Sequence, residues 1–214
     1  MKVKFLGHAA VLLQGPSILL IDPFLKNNPQ AVFSPKELKK IDFVLVTHDH
    51  FDHLGEAKEI CQKSGATLIA IHELASSFQE EIKTEGMNIG GKIEFQELKI
   101  FMTEAWHSLK KGHPAGFLIE MEGKRIYHAG DTALFPGMQI FRKRKIDLAF
   151  LPIGDRYTMG PEEAALAVEY LKPDKIVPIH YNTWPLIKQD PYRFRELVKE
   201  SQVIILSPGQ EIEI

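Results

Sequence analysis

Apolar residues along this chain gather in short runs separated by turn residues, the pattern of buried strands alternating with helices. Residues 3–6, 10–14 and 17–21 predict three short strands, with Gly15-Pro16 as the turn between the last two. The run Phe43-Val44-Leu45-Val46 is apolar throughout, as suits a parallel strand covered on both faces, and 67–71 predicts another strand. Ser34-Pro35-Lys36-Glu37 has the form of a capping box with proline at the first helical position, so a short helix is expected there. Further helices are expected over 56–64, closed by Gly65, and over 73–84, ended by Glu85-Gly86. After Gly90-Gly91 the pattern turns to hairpins: 92–95 with 98–103, and 116–121 with 125–128. Strands at 147–151, 175–179 and 203–206 follow, with helices near 136–143, 161–171 and 191–200. Meanders and strand–helix units thus occur in both halves. The order fits an α/β fold in which two sheets pack face to face with helices outside, in one domain over 1–214.

Composition narrows the partners. The 214 residues carry 26 basic and 28 acidic side chains, a formal net charge of −2. A nucleic-acid partner is therefore not expected, since phosphates call for a basic surface. The single cysteine, Cys61, excludes an intrachain disulfide and falls on the apolar face of the helix at 56–64. Gly7-His8 interrupts the first apolar run before a signal-peptide core is reached, and no run is long enough to span a bilayer. The expectation is a soluble cytoplasmic protein with no membrane partner.

The chemistry gathers at Thr47-His48-Asp49-His50-Phe51-Asp52-His53, directly after the apolar run at 43–46. Open α/β sheets place their sites at such strand ends. Imidazole nitrogen and carboxylate oxygen suit zinc, iron and manganese. His48, His50, Asp52 and His53 are too many ligands on one short loop for a single ion, so two ions are expected, each needing help from elsewhere. His107, Asp131 and His180 each follow an apolar strand. Taken singly, each reads equally as a surface histidine or a turn cap. Together they stand on the rim where the early cluster stands. Asp22 ends the strand at 17–21; it reads either as turn chemistry before Pro23 or as a carboxylate that orients a ligand histidine. His72 and His113 read as incidental.

The motifs T-H-D-H-F-D-H, W-H-S, H-A-G-D-T and P-I-H-Y resemble those of the metallo-β-lactamase superfamily. Within it the chain is similar to a group of small metal-dependent hydrolases of unassigned substrate, to the ascorbate-6-phosphate lactonases and, more distantly, to the N-acylphosphatidylethanolamine phospholipase D. Leu6-Gly7-His8-Ala9-Ala10, Ile21-Asp22-Pro23-Phe24 and Thr158-Met159-Gly160-Pro161-Glu162 extend the resemblance over nearly the whole chain. It implies a four-layer αββα sandwich of two mixed sheets. It also implies that His48, His50 and His107 hold one ion, that Asp52, His53 and His180 hold a second, and that Asp131 bridges them.

A hydroxide held between two such ions would cleave an ester, lactone or phosphodiester bond of a small molecule, with Asp52 orienting it. Zinc is the expected metal, with manganese and iron as alternatives. His8 and His128 are the candidate proton donors to the leaving group. Phe24, Phe51, Tyr157, Met159, Tyr181 and Trp184 are candidates for an apolar substrate wall, and Arg156 for an anion contact. The alternatives within the same fold are a nuclease, a di-iron redox protein and a metal-binding protein without turnover. Oligomeric state and the bond cleaved are not legible.

Overall fold

The computed structural model describes residues 1–38 and 40–214. The first sheet takes its strands from both ends of the chain. β1 (Lys2–Gly7), β2 (Ala10–Gln14) and β3 (Ile18–Ile21) form an antiparallel meander; β4 (Phe43–Leu45), β5 (Thr67–Ile71) and β6 (Thr84–Met87) continue it in parallel. The second sheet is built likewise. β7 (Lys92–Phe95), β8 (Leu98–Glu104), β9 (Ala115–Met121) and β10 (Lys124–His128) run antiparallel; β11 (Leu148–Pro152), β12 (Lys175–Ile179) and β13 (Gln202–Val203) add in parallel. A last strand, β14 (Glu211–Glu213), returns to pair antiparallel with β1.

Helices cover the outer faces. α1 (Phe51–Leu54) is a single turn, followed by α2 (Ala57–Ser64) and α3 (His72–Ser76) on the first sheet; α4 (Pro161–Leu171) and α5 (Pro191–Leu197) pack on the second. One apolar cluster joins the two sheets and reaches α2 and α3; another fills the space between the second sheet and α4 and α5. The result is the expected four-layer αββα arrangement. α2 buries Ala57, Ile60 and Cys61, which lie three and four residues apart on one stripe. Full burial of a side chain such as Ile60 contributes about 1.5–3 kcal/mol. Gly65 ends α2 in the left-handed conformation.

Several local expectations give way. The hydrogen bonds of the Ser34–Glu37 box form, Ser34 N–H and Oγ–H both donating to the Glu37 carboxylate, but residues 35–37 make a turn and no helix. The segment is too close to β4 for a helix to repay its nucleation. The helix expected over 73–84 stops at Ser76. Ser77 Oγ–H donates to the Leu74 carbonyl at 2.7 Å, turning the chain, and Thr84–Met87 becomes a parallel partner of β5 instead. Residues Pro136–Arg144 are 3₁₀ helix, α5 ends at Leu197, and the strand expected at 203–206 is only Gln202–Val203.

Candidate metal centre

Six strand ends meet along one edge of the sandwich. His8 follows β1, Asp22 follows β3 and His48 lies just beyond β4; His107, Asp131 and His180 follow β8, β10 and β12. His50 caps α1, whose single turn presents Asp52 and His53 inward. The two sheets touch here directly, as the His180 N–H donates to the His8 carbonyl at 2.7 Å. His8, Asp22 and His180 have positive φ (58°, 46° and 54°). Such backbone is strained for a non-glycine residue, and it concentrates at this edge.

All seven sequence-predicted ligands converge. His48 Nε2 is 3.0 Å from His50 Nδ1, which is 3.3 Å from His107 Nε2. Asp52, His53 and His180, together with His8, form a second group with ligand atoms within 4.8 Å of one another. Asp131 stands between the groups. Its Oδ1 is 3.2 Å from His53 Nε2, and its Oδ2 is 3.0 Å from His180 Nε2 and 3.6 Å from His107 Nε2.

The spacing fits a cation better than a hydrogen-bond network. With metal–nitrogen bonds of about 2.1 Å, neighbouring ligand atoms lie about 3.0–3.4 Å apart. His53 Nε2, Asp131 Oδ1 and His180 Nε2 are buried and lack hydrogen-bond partners, although they approach one another closely. Buried polar atoms left so are rare.

The supporting contacts set the tautomers. Thr47 Oγ–H donates to Asp22 Oδ2 at 2.7 Å, so Thr47 Oγ accepts from His48 Nδ1–H at 3.0 Å and leaves His48 Nε2 unprotonated. His53 Nδ1–H donates to Asp22 Oδ2 at 2.7 Å, so Nε2 is the nitrogen left to give up its proton to a cation. Electrostatics follow the pairing. Burial pulls His53 and His180 down, but the Asp131 carboxylate outweighs it, holding His53 well above the usual histidine range and His180 at about 9. Burial raises Asp131, yet His180 and His53 overcome it and hold the carboxylate well below its usual range. His48 and His107 are pushed down by burial and by neighbouring imidazoles.

The two proton-donor candidates lie behind this site. His128 is buried in β10; its Nε2–H donates to the Ala9 carbonyl at 2.9 Å and its Nδ1 accepts from Gly130 N–H at 3.2 Å. Both ring nitrogens are thus engaged with backbone. His8 is also buried, its Nε2 3.2 Å from Asp52 Oδ2 and its Nδ1 2.7 Å from Thr183 Oγ. Burial and the neighbouring His180 push it down to about 4. Neither side chain lines the cavity beside the site, a space of about 470 Å³. That cavity is lined by His50, Asp52, His107, Ser108, Asp131 and His180 together with Phe51, Tyr157, Trp184, Leu186 and Ile187. Of the other wall candidates, Phe24 and Met159 are buried anchors, and Tyr181 is not in the lining. Arg156 is outside the lining, its guanidinium 5.8 Å from the Tyr157 ring centre. His72 and His113 are exposed and outside the centre.

Sequence reasoning missed Thr47, which ties His48 to Asp22, and the Gln30–Thr183 pair behind His8. Gln30 Oε1 accepts from the His8 backbone N–H at 3.1 Å and lies 3.2 Å from Thr183 Oγ, whose proton goes to His8 Nδ1. Thr47 opens the T-H-D-H motif, a signal that was there to use; nothing local marks Gln30.

The beta-lactamase superfamily domain model matches residues 17–181. A UPF0173 metal-dependent hydrolase of Pyrococcus abyssi is 48% identical over 224 residues, covering 100% of this chain and 99% of its own. Igni18, described as a novel metallo hydrolase from the hyperthermophilic archaeon Ignicoccus hospitalis, superposes with a TM-score of 0.94 at 37% identity, over 99% of this chain and 97% of that one. An isothiocyanate hydrolase from Delia radicum gut bacteria shares the fold, with a TM-score of 0.81 at 21% identity over 100% of this chain and 99% of that one. With the whole length matched and the converging donors in place, the chain belongs to the beta-lactamase superfamily and, within it, to the UPF0173 metal-dependent hydrolases.

Proposed function

We propose that the chain hydrolyses an ester, lactone or phosphodiester bond of a small molecule with two divalent ions, zinc by preference. His48, His50 and His107 hold one ion, Asp52, His53 and His180 the other, and Asp131 links them. Ions so placed supply Lewis acidity and lower the pKa of water toward about 7. The observation that carries this is the set of buried, unpartnered atoms on His53, Asp131 and His180, with both imidazole Nε2 atoms within 3.2 Å of the Asp131 carboxylate.

The protein's own groups do the rest. Asp52 faces the cavity. Burial raises its carboxyl, but the adjacent His180 imidazole and the hydrogen bond to His8 more than offset this and hold it ionised. An ionised carboxylate there accepts a hydrogen bond from the attacking water and aims it. His8, uncharged near neutral pH, donates through Nε2–H and fixes one Asp52 oxygen, its own ring held by Thr183. His8 therefore serves as a positioning residue and His128 as a structural one; the leaving-group proton then comes from solvent in the open cavity. Cys61 is buried, its thiol pushed up to about 12 by desolvation, so it takes no part. A cytoplasmic location belongs to the same proposal.

The test is metal content per folded chain by mass spectrometry, with hydrolysis of ester, lactone and phosphodiester panels and Asp52→Ala as control. The expected result is two ions per chain, turnover that a chelator abolishes, and loss of turnover in Asp52→Ala. A folded chain that takes up no metal, or that hydrolyses equally well without it, would overturn the proposal.

A further inference from the structure

The far wall of the cavity says what kind of molecule fits against the metal-binding edge. Phe51 is 70% exposed, Leu186 56% and Tyr157 53%, and all three line the cavity with Trp184. Single exposed apolar residues are ordinary, but a group of them lining one cavity with a polar cluster marks a binding surface. The wall is held in shape from behind. Buried Phe24 meets Phe51 edge-on at 5.7 Å between ring centres, and Trp184 is 6.0 Å from both rings. Trp184 also packs edge-on against His8 at 5.0 Å, so the wall abuts the group that positions Asp52. Among the described residues, no lysine or arginine lines the cavity. A phosphate or carboxylate on the non-reacting part of a substrate would find no cationic partner there and would lose its hydration. The polar side chains outside the histidine–aspartate cluster are Ser108 and Tyr157, both uncharged as hydroxyls.

We propose that the substrate carries, beside the bond that is cleaved, an uncharged apolar group, a short acyl chain or an aryl ring, that seats against Phe51, Trp184 and Leu186. This rests on the hydrolase proposal and adds which part of the substrate the protein recognises. The cavity, at about 470 Å³, lies within the range of small-molecule pockets, and one apolar wall opposite a few polar groups is their usual construction.

The experiment runs two series on the metal-loaded full chain. One measures kcat/KM for p-nitrophenyl esters from acetate to octanoate. The other measures binding of neutral N-alkyl acetamides of the same lengths by titration calorimetry, with equal-length amides ending in a carboxylate alongside. Affinity for the neutral amides is expected to rise about two- to fourfold per methylene, the gain of moving a methylene from water to an apolar wall. The carboxylate-ended amides gain nothing. Trp184→Ala and Leu186→Ser each flatten the neutral series, and thermal melts show whether the variants are folded. The amide series decides: a flat neutral series, a slope unchanged in both folded variants, or tighter binding of the carboxylate-ended amides overturns the inference. Ester cleavage without an amide slope would leave the hydrolase proposal standing and end this one. An amide slope in a chain that cleaves nothing in the ester, lactone and phosphodiester panels would do the reverse.

Discussion

Asp22 Oδ2 lies 2.7 Å from His53 Nδ1 and also accepts the Thr47 hydroxyl at 2.7 Å, while Asp22 Oδ1 accepts the Thr47 backbone N–H at 2.8 Å. One buried carboxylate thus orients His53 directly and His48 through Thr47. Asp22→Asn keeps the side-chain size and tolerates the positive φ of 46°, so it removes the charge without adding strain. Metal affinity is expected to fall about 10–100-fold, read by competition with a chromophoric chelator. Unchanged affinity would show that His53 needs no such partner.

Metal uptake should release protons. His53 and His180 are held above the usual histidine range, His180 at about 9, whereas His48 and His107 are held below it. At pH 7.5 the first pair must give up protons to bind a cation and the second pair has none to give. Calorimetry in buffers of different ionisation enthalpy is expected to show about two protons released on full loading, and affinity should climb as pH rises through about 9, where His180 loses its proton.

The metal-free protein should have a narrower stability optimum than the loaded one. His8 at about 4 and His128, also lowered, contribute stability that is complete above the unfolded histidine value near 6.5 and is lost as pH falls toward 4. His180 works the other way: its contribution is complete below about 6.5 and is lost as pH rises through about 9. Melting temperature of the metal-free chain is therefore expected to peak near pH 6.5 and decline on both sides, with the alkaline decline removed by metal. A melting temperature that keeps rising from pH 6.5 to 9 in the metal-free chain would contradict the assignment.

His8→Ala and His128→Ala should separate cleanly. The first loosens Asp52 and is expected to lower kcat about 10–100-fold while KM and metal content stay close to normal. The second leaves two buried backbone groups unpartnered and is expected to cost about 2–4 kcal/mol in chemical denaturation, with kcat per folded molecule little changed. A large kcat loss in folded His128→Ala would return that residue to the list of proton donors.

Gly130 has φ +62°, and a Cβ there would meet the Ala115 carbonyl at 2.7 Å and Thr47 Cβ at 2.9 Å. Gly130→Ala should destabilise by at least about 1–3 kcal/mol from the backbone strain alone. Because the next residue is Asp131, stoichiometry should also fall below that of the unaltered chain, measurable by metal analysis of the folded fraction.

The converging residues were legible in the sequence because they gather shortly after apolar strands, and strands that run in the same direction end on one edge. His107 and His180 are far apart along the chain, yet this rule brings both to the early histidine loop. The layers were legible for the same reason. The segment after β5 misled because Leu74, Ala75, Phe78 and Ile82 keep helical spacing, while the Ser77 hydroxyl bond that turns the chain leaves no mark on that spacing. β14 was missed since Glu211-Ile212-Glu213 is too short to show alternation; its place is set by partners at the other terminus, including the Lys4–Glu211 ion pair at 3.0 Å. Burial, likewise, is a property of the assembled fold, so nothing in Gly7-His8 told whether the imidazole would face the cavity or stand behind Asp52.

The amide of His180 and the carbonyl of His8 tie the two sheets at their shared rim, so an ion gripped by donors from both acts as a rivet between layers. Shear of one layer past the other by even about 1 Å would spoil the donor geometry. Substitutions in the apolar seam, remote from any imidazole, are then able to detune turnover by letting the layers creep. Evolution of a faster enzyme on this scaffold has to begin with the stiffness of that seam.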